Sequence, residues 1–298
     1  MSYLTQHWSF DPFLIIAVIL AVWHEVGLAR LGRRGGEPAG HRRIRSLAFY
    51  GGLAVALAAV DSPVEYWSSR YFFMHMVQHL LLMFAAPSLI VAGAPWQPLL
   101  NAIPDRAAAV GAAWSRPLRP VGGWLLRPWV AVVAFNLVML FWHIPALLDL
   151  AENNQAVQVW LLHSSYLIVG IGFWLQFIPS PPLPMRMPNE AQAVALVATN
   201  VIMWLLAMSM SFLTTVSWYP VYDHVPGVTL PPFADQQIGA GILWVCGDFW
   251  AVPMLIVVIR RIITADGSLG SALDKMLGRD STGDATSGRT GWASRAGR

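Results

Sequence analysis

The sequence has little charge and almost no cysteine. Only 12% of its 298 residues are charged, and 56% are hydrophobic, whereas an ordinary soluble domain carries about 25% charged residues. Most of the chain therefore has too few polar groups to face water. A single cysteine, Cys246, excludes a disulfide, a Cys-x-x-Cys metal motif and a thiol redox pair within one chain.

The start of the sequence also lacks a basic leader before the first apolar run, so we expect no cleaved signal peptide. The first apolar segment is then retained as a membrane span. Tryptophan, in contrast, is abundant, with 15 residues. Membrane proteins concentrate tryptophan at the two headgroup levels, so its abundance agrees with a membrane location.

Seven apolar runs are long enough to cross a bilayer, whose hydrocarbon core needs about 20 helical residues. They predict an all-α fold, a polytopic transmembrane helical bundle of about seven spans, within residues 1–265. The third span contains Pro87, so we expect a kink or tilt there. Residues 266–298 are polar and predict a disordered cytoplasmic tail. The runs cover residues 12–30, 46–62, 71–95, 129–150, 156–178, 190–213 and 237–262.

The basic residues fall almost entirely on one side of this topology. With the 30–45 connection in the cytoplasm, 18 of the 19 Lys and Arg residues lie inside, and only Arg70 lies outside. Cytoplasmic loops are enriched in Lys and Arg, so we expect an N-terminus outside and a C-terminus in the cytoplasm. Orientation then accounts for the basic pI of 9.3, and we expect no nucleic-acid partner.

The two longest connections between the predicted spans, 96–127 and 214–235, have compositions that predict their location. The cytoplasmic segment 96–127 mixes apolar residues with Pro, Trp and Arg, which predicts short amphipathic pieces along the membrane surface. The outer loop 214–235 is rich in aromatic residues and Pro, and we expect it to cover the outer face.

Four histidines are predicted to meet at one depth in the outer half of the membrane. Counted from the outer ends of spans three, four and five, they lie roughly 8–14 Å below the surface at about 1.5 Å per residue. Two of them are spaced i, i+4 and share one helix face, which allows one helix to offer two imidazoles to a metal ion. The four are His75, His79, His143 and His163.

Copper is the metal that this composition favours. Imidazole suits copper, zinc and iron, and thioether favours Cu(I), so a metal site of these histidines with nearby methionines predicts Cu(I). Each residue also has a plainer interpretation, because a buried histidine can bond a neighbouring helix, methionine fills cores, and Asp235 can cap span seven. Possible accessory ligands are Met74, Met83, Met139, Met210 and Asp235.

The other polar residues within spans lie elsewhere. His24 and Glu25 are in the inner half of span one, and Asp248 is near the middle of span seven. Hydrogen bonds between helices are the expected role of each. Cys246 is expected to be a small apolar core residue.

Residues 75–79 read His-Met-Val-Gln-His and continue as Leu-Leu-Leu-Met, followed by Ala85-Ala86-Pro87. Together with Phe141-Trp142-His143-Ile144-Pro145 and Asp235-Gln236-Gln237, this pattern resembles the CtaG family of bacterial cytochrome c oxidase assembly factors, the type named for caa3 oxidases. The resemblance runs from span two to span seven. Relatives often have a second histidine shortly before position 163, where this chain has Gln155, Gln158 and Trp160. The number of ligands from span five stays open.

The resemblance implies a non-enzymatic role in the bacterial plasma membrane, with copper delivered to a haem-copper oxidase at the outer face. The implied partners are the lipid bilayer, the oxidase subunits and other copper chaperones. Two alternatives remain open from the residues. One is a b-type haem protein in electron transfer, with haem bound axially by His79 and either His143 or His163. The other is a proton or metal transporter that uses Glu25 and Asp248.

Overall fold

A computed structural model of the chain describes residues 7–8, 12–35, 39–104, 106–107 and 116–266. These ranges contain helices and loops and no β-strand. Six helices are long and apolar enough to cross a membrane, and a bent pair makes a seventh crossing if it is counted as one. The predicted helical membrane bundle is therefore confirmed. The predicted tail lies, apart from Asp266, outside the described residues.

The helices are numbered here in chain order. The six long ones are α1, α2, α4, α9, α10 and α11, and the bent pair is α7 with α8. Their bounds are α1 Pro12–Arg33, α2 Ala39–Val60, α3 Pro63–Ser68, α4 Phe72–Gly93, α5 Trp96–Ala102, α6 Arg119–Leu125, α7 Pro128–Trp142, α8 Pro145–Glu152, α9 Gln155–Trp174, α10 Asn189–Phe212 and α11 Pro232–Asp266.

Helix α4 is irregular at the position that the sequence predicted. A π-helical turn, Leu81–Ala85, precedes Pro87, which has no N–H to donate to the carbonyl of Met83. That carbonyl instead accepts a hydrogen bond from the indole N–H of Trp174 at 3.3 Å. Helix α9 also packs closely here, because a Cβ on Gly170 would lie 2.6 Å from the Pro87 ring.

The fourth apolar run is not one straight span. Helices α7 and α8 meet at an angle of 76°, and the break follows His143, which is the C-cap of α7. Ile144 has an extended backbone, as expected for a residue that precedes a proline. Pro145 thus turns the chain and leaves His143 at a helix end, where the sequence had predicted the interior of a helix.

The predicted short helices in the 96–127 connection are present as α5 and α6, although residues 105 and 108–115 lie outside the described part. Helix α5 lies directly against α1, because a Cβ on Gly27 would meet the carbonyl oxygen of Pro98 at 1.8 Å. Arg30 also donates to the carbonyls of Asn101 and Ala102, at 3.2 and 2.9 Å. These contacts hold α5 at the end of α1.

Candidate functional site

Three of the predicted histidines form a row of adjacent rings. Helix α4 carries His75 and His79 one turn apart, with ring centres 5.2 Å from each other. His143, at the end of α7, has its ring centre 5.0 Å from that of His79. All three side chains are at most 4% exposed. The i, i+4 prediction and the convergence of spans three and four are therefore present in the structure.

The fourth histidine approaches from α9. His163 ends a π-helical turn, Gln158–His163, and is fully buried. Its Nε2 lies 3.7 Å from Oε2 of Glu65. One turn further along, the ring of Tyr166 packs edge-on against that of His79, at 3.8 Å between centres. Helix α9 thus supplies one histidine, His163, and one aromatic side chain, Tyr166, that packs against His79.

Two glutamates that sequence reasoning missed lie against the histidines. Glu152, the last residue of α8, has Oε1 3.0 Å from Nδ1 of His75, and its side chain is 2% exposed. Glu65, on the short helix α3, faces His163 and has a 20% exposed side chain. Neither glutamate lies inside a predicted long apolar run, so neither is among the charged residues of the predicted spans.

A glutamine holds each of these carboxylates. Gln78 donates its amide N–H to Glu65 and to the carbonyl of Ala59 at 2.9 Å. Gln158 lies 3.4 Å from both carboxylate oxygens of Glu152. Gln78 is the glutamine of the His-x-x-Gln-His pattern. A buried glutamine beside two histidines needs a hydrogen-bond acceptor, and Glu65 is one such acceptor.

Each of the four histidines keeps one buried ring nitrogen that has neither a hydrogen bond nor a facing carboxylate within the described residues. Leaving a buried polar atom unpaired costs about 1–3 kcal/mol, so such atoms call for a physical explanation. The described side chains do not, however, bring three His, Cys, Asp or Glu ligands together in metal-binding geometry. The four atoms are Nε2 of His75, Nε2 of His79, Nε2 of His143 and Nδ1 of His163.

The predicted accessory methionines differ in their surroundings. Met83, Met139 and Met210 are buried, and Met74 is half-buried. The carbonyl of Met139 lies 2.7 Å from Nδ1 of His143, so this residue fixes the imidazole through its backbone. The sulfur of Met210 lies 3.6 Å from the hydroxyl of Tyr219. Any role for these sulfurs as ligands stays a prediction.

Asp235 does not cap its own helix as one interpretation of the sequence had it. Helix α11 begins at Pro232, and the carboxylate of Asp235 instead accepts from the backbone N–H groups of Phe72 and Phe73, at 2.7 and 2.9 Å. It therefore caps α4, the helix that carries two of the histidines. The neighbouring Gln236 accepts from the N–H of Trp218 at 2.6 Å, which ties the outer loop to α11.

The 214–235 loop packs against the helix ends that carry the histidines, and its predicted place on the outer face of the membrane stays a prediction. Tyr219 is buried, stacks on Phe72 with ring centres 4.5 Å apart, and donates its hydroxyl to the carbonyl of His143 at 3.1 Å. Tyr222 donates to the carbonyl of Ser68 at 3.0 Å. Burial raises the pKa of both tyrosines, and for Tyr219 the charge of Asp149 raises it further. These hydroxyls stay protonated in their buried hydrogen bonds.

The polar residues of the other spans pair between helices, as predicted. The hydroxyl of Tyr50 donates to Glu25 and lies 2.9 Å from Nδ1 of His24. The amide of Asn200 donates to Asp248 at 3.0 Å. Each pair joins two neighbouring helices, α1 with α2 and α10 with α11.

Cys246 is not a buried core residue. It is half-buried and lines an apolar cavity of about 480 Å³ between α4 and α11, together with Trp174 and Trp250. The histidines do not belong to the lining of this cavity.

A bundle of apolar helices enclosing a buried, four-histidine group defines a multi-pass membrane protein. The chain belongs to the family of cytochrome c oxidase caa3 assembly factors (Caa3_CtaG), whose model matches residues 22–265. This match confirms the family that the His-x-x-Gln-His pattern indicated. Every residue of the histidine group, and both glutamates, fall inside the matched range.

The chain is also similar to mycobacterial proteins described as uncharacterized. It is 26% identical over 293 residues to proteins of Mycobacterium bovis and Mycobacterium tuberculosis, which covers 93% of this chain and 42% of each relative. A Mycobacterium leprae protein is 25% identical over 267 residues, covering 85% of this chain and 38% of the relative. The chain thus spans about two fifths of these relatives. No solved structure matches it significantly.

Proposed function

We propose that this oxidase assembly factor binds copper at the four-histidine group and passes it to a haem-copper oxidase at the outer face of the membrane. The family supplies the assembly role. The observation that carries the copper proposal is the set of four buried imidazole nitrogens without partners, one on each histidine. Neutral imidazole is a common ligand for copper, and binding would satisfy atoms that are costly to bury unpaired.

Ring spacing supports a shared ion. Two imidazoles bound to one tetrahedral ion hold their ring centres about 5 Å apart, because each metal–nitrogen bond is about 2.0–2.1 Å long. The ring centres of His75 and His79 are 5.2 Å apart, and those of His79 and His143 are 5.0 Å apart. The three rings therefore already have the spacing that a shared ion requires.

The same arrangement suits a carrier that must release its metal. The predicted ligands are imidazoles, with nearby thioethers, and Cys246 lines a cavity away from them. Without a closed thiolate cage, copper can pass to another protein, since exchange needs only the displacement of neutral ligands. The role is non-enzymatic, the copper is cargo, and the proposed partners are oxidase subunits and other copper chaperones.

The packing favours copper over haem at this position. Axial ligation would need a porphyrin between two imidazoles on facing helices. The rings of His79 and His143 are in contact at 5.0 Å, and Tyr166 covers His79 at 3.8 Å. A porphyrin bound between His79 and His143 would have to separate these packed rings. Glu25 and Asp248, the proposed relay of a transporter, are each engaged in a local pair between helices.

Copper binding by the purified protein tests the proposal. We expect Cu(I) to be retained against a competing chelator by the native protein and to be lost in His79→Ala. The double variant His75→Ala, His79→Ala should lose no more than either single variant, since removing one ligand already disables the site. His224→Ala is the matched control, because His224 is exposed in the outer loop.

The same variants test delivery in cells. In a strain that lacks the native gene, at limiting copper, the double variant should lower the copper content and activity of the oxidase while haem insertion stays near normal. Added copper should restore part of the activity. Full oxidase activity with the double variant at low copper would show that these histidines are structural and that the copper proposal is wrong.

A further inference from the structure

We infer that Glu152 and Glu65 are positioning residues that orient His75 and His163 for metal binding. This inference rests on the proposed copper function. Neither carboxylate belongs to the ligand set proposed above. Each acts on the metal through the imidazole beside it.

The first pair is His75 with Glu152. Nδ1 of His75 lies 3.0 Å from Oε1 of Glu152, and both side chains are almost completely buried. The distance is that of a hydrogen bond, but the N–H direction is not yet aligned with the oxygen. A small rotation of the ring completes the bond. It also turns Nε2, the nitrogen without a partner, relative to His79.

The second pair is His163 with Glu65, and it uses the opposite ring nitrogen. Nε2 of His163 faces the carboxylate at 3.7 Å, which leaves Nδ1 buried and without a hydrogen bond among the described residues. In both pairs, therefore, one nitrogen faces a carboxylate and the other is available. That division is required of a histidine that binds a metal with one nitrogen and is oriented through the other.

The two pairs are cross-linked between the same two helices. Helix α4 supplies His75 and also Gln78, which holds Glu65. Helix α9 supplies His163 and also Gln158, which holds Glu152. Each carboxylate is thus held by a glutamine of one helix and faces a histidine of the other. The arrangement fixes the register of α4 against α9, so the two histidines are oriented by one connected network.

A carboxylate behind a metal-binding histidine fixes its tautomer and ring orientation and makes it a stronger ligand. Loss of such a partner typically weakens metal affinity about 10–100-fold. In this protein the effect falls on His75 and His163, while His143 is oriented differently, by the carbonyl of Met139 at 2.7 Å. Two of the four histidines, His75 and His163, therefore face a glutamate that can orient them.

The experiment compares Cu(I) affinity and coordination in glutamate and histidine variants of the full chain. Glu152→Ala should weaken Cu(I) binding about 10–100-fold, and X-ray absorption should show a more disordered shell of imidazoles around the copper. Glu152→Gln, which keeps the volume and an oxygen acceptor, should fall between Ala and native. Glu65→Ala should behave in the same way through His163. Glu190→Ala is the control, because Glu190 lies in the first turn of α10, a helix that carries none of the four histidines.

Two different failures can be told apart. If His75→Ala loses copper but Glu152→Ala and Glu65→Ala keep the native affinity and the native order of the imidazole shell, the positioning role is overturned and the copper site stands. If His75→Ala itself binds copper as the native protein does, the proposed copper function fails. A purely structural role for the glutamates would lower thermal stability without changing the order of the imidazole shell around the copper.

Discussion

The carboxylate of Asp235 accepts a hydrogen bond from the backbone N–H of Phe72 at 2.7 Å, and a second from that of Phe73 at 2.9 Å. Helix α4 begins at Phe72, and its own N-cap residue, Tyr71, makes no side-chain capping bond. The cap is supplied instead by the first turn of α11. Since α4 carries His75 and His79, this contact sets the position of half of the histidine group.

Replacing Asp235 by Ala should therefore destabilise the bundle. It leaves two N–H groups at the start of α4 without their charged acceptor, at a cost of about 1–3 kcal/mol. Thermal unfolding in detergent should show a lower midpoint, with Asp235→Asn in between. Asp223→Ala is the control, because Asp223 is exposed. A native midpoint for Asp235→Ala would contradict the cap.

Two glycines on α9 should respond oppositely to the same substitution. A Cβ on Gly170 would lie 2.6 Å from the Pro87 ring and 2.8 Å from the carbonyl oxygen of Met83, whereas a Cβ on Gly172 would meet Ala131 at 3.9 Å. Gly170→Ala should cost about 1–3 kcal/mol through overpacking. Gly172→Ala should be neutral or stabilise by up to about 1 kcal/mol, because alanine favours helix.

Chemical unfolding of the two proteins gives the comparison. The substitution is identical and the two sites are two residues apart on the same helix, so general effects of helix propensity cancel. Equal stability of the two variants would show that α4 and α9 are not in contact at Gly170.

The buried tyrosines should make the protein sensitive to alkali. Burial raises the pKa of Tyr219 and Tyr222 above the ordinary 10.0, so the stability that they contribute is complete below that pH. It is lost as the pH rises above 10.0, because the unfolded chain releases protons that the folded one retains. The double variant Tyr219→Phe, Tyr222→Phe cannot release these protons.

We expect the native unfolding midpoint to fall more steeply than that of the double variant as the pH rises from about 9.5 to about 11. The slopes are compared, since each variant also loses its hydroxyl hydrogen bond and starts from a lower midpoint. Identical slopes would mean that these hydroxyls are accessible in the folded protein.

The orientation in the membrane can be tested by labelling. With Cys246 replaced by Ala, cysteines at the exposed positions Ser69, Asn153 and Asp223 should react with an impermeant thiol reagent in intact cells. Cysteines at Arg34 and Arg116 should react only after permeabilisation, because positive connections stay inside. Reversed labelling at any two of these positions would contradict the predicted orientation.

The location of the spans and the choice of the four histidines could be predicted from residues alone. Apolar runs partition into a bilayer according to their own composition and length, so each span can be recognised without knowledge of its neighbours. The i, i+4 spacing of His75 and His79 follows from helix geometry in the same way. Depth counting brought His143 and His163 to the same layer for the same reason.

The partners of these histidines were decided by tertiary structure. Glu152 reaches His75 only because α7 and α8 meet at 76° and carry the end of α8 back to α4. Glu65 reaches His163 from α3, and Asp235 caps a helix far from it in sequence. Burying a carboxylate without a partner is costly, so each acidic group takes whichever partner the packed helices place beside it. Composition and spacing act along the chain, whereas such a pairing depends on the positions of several helices at once.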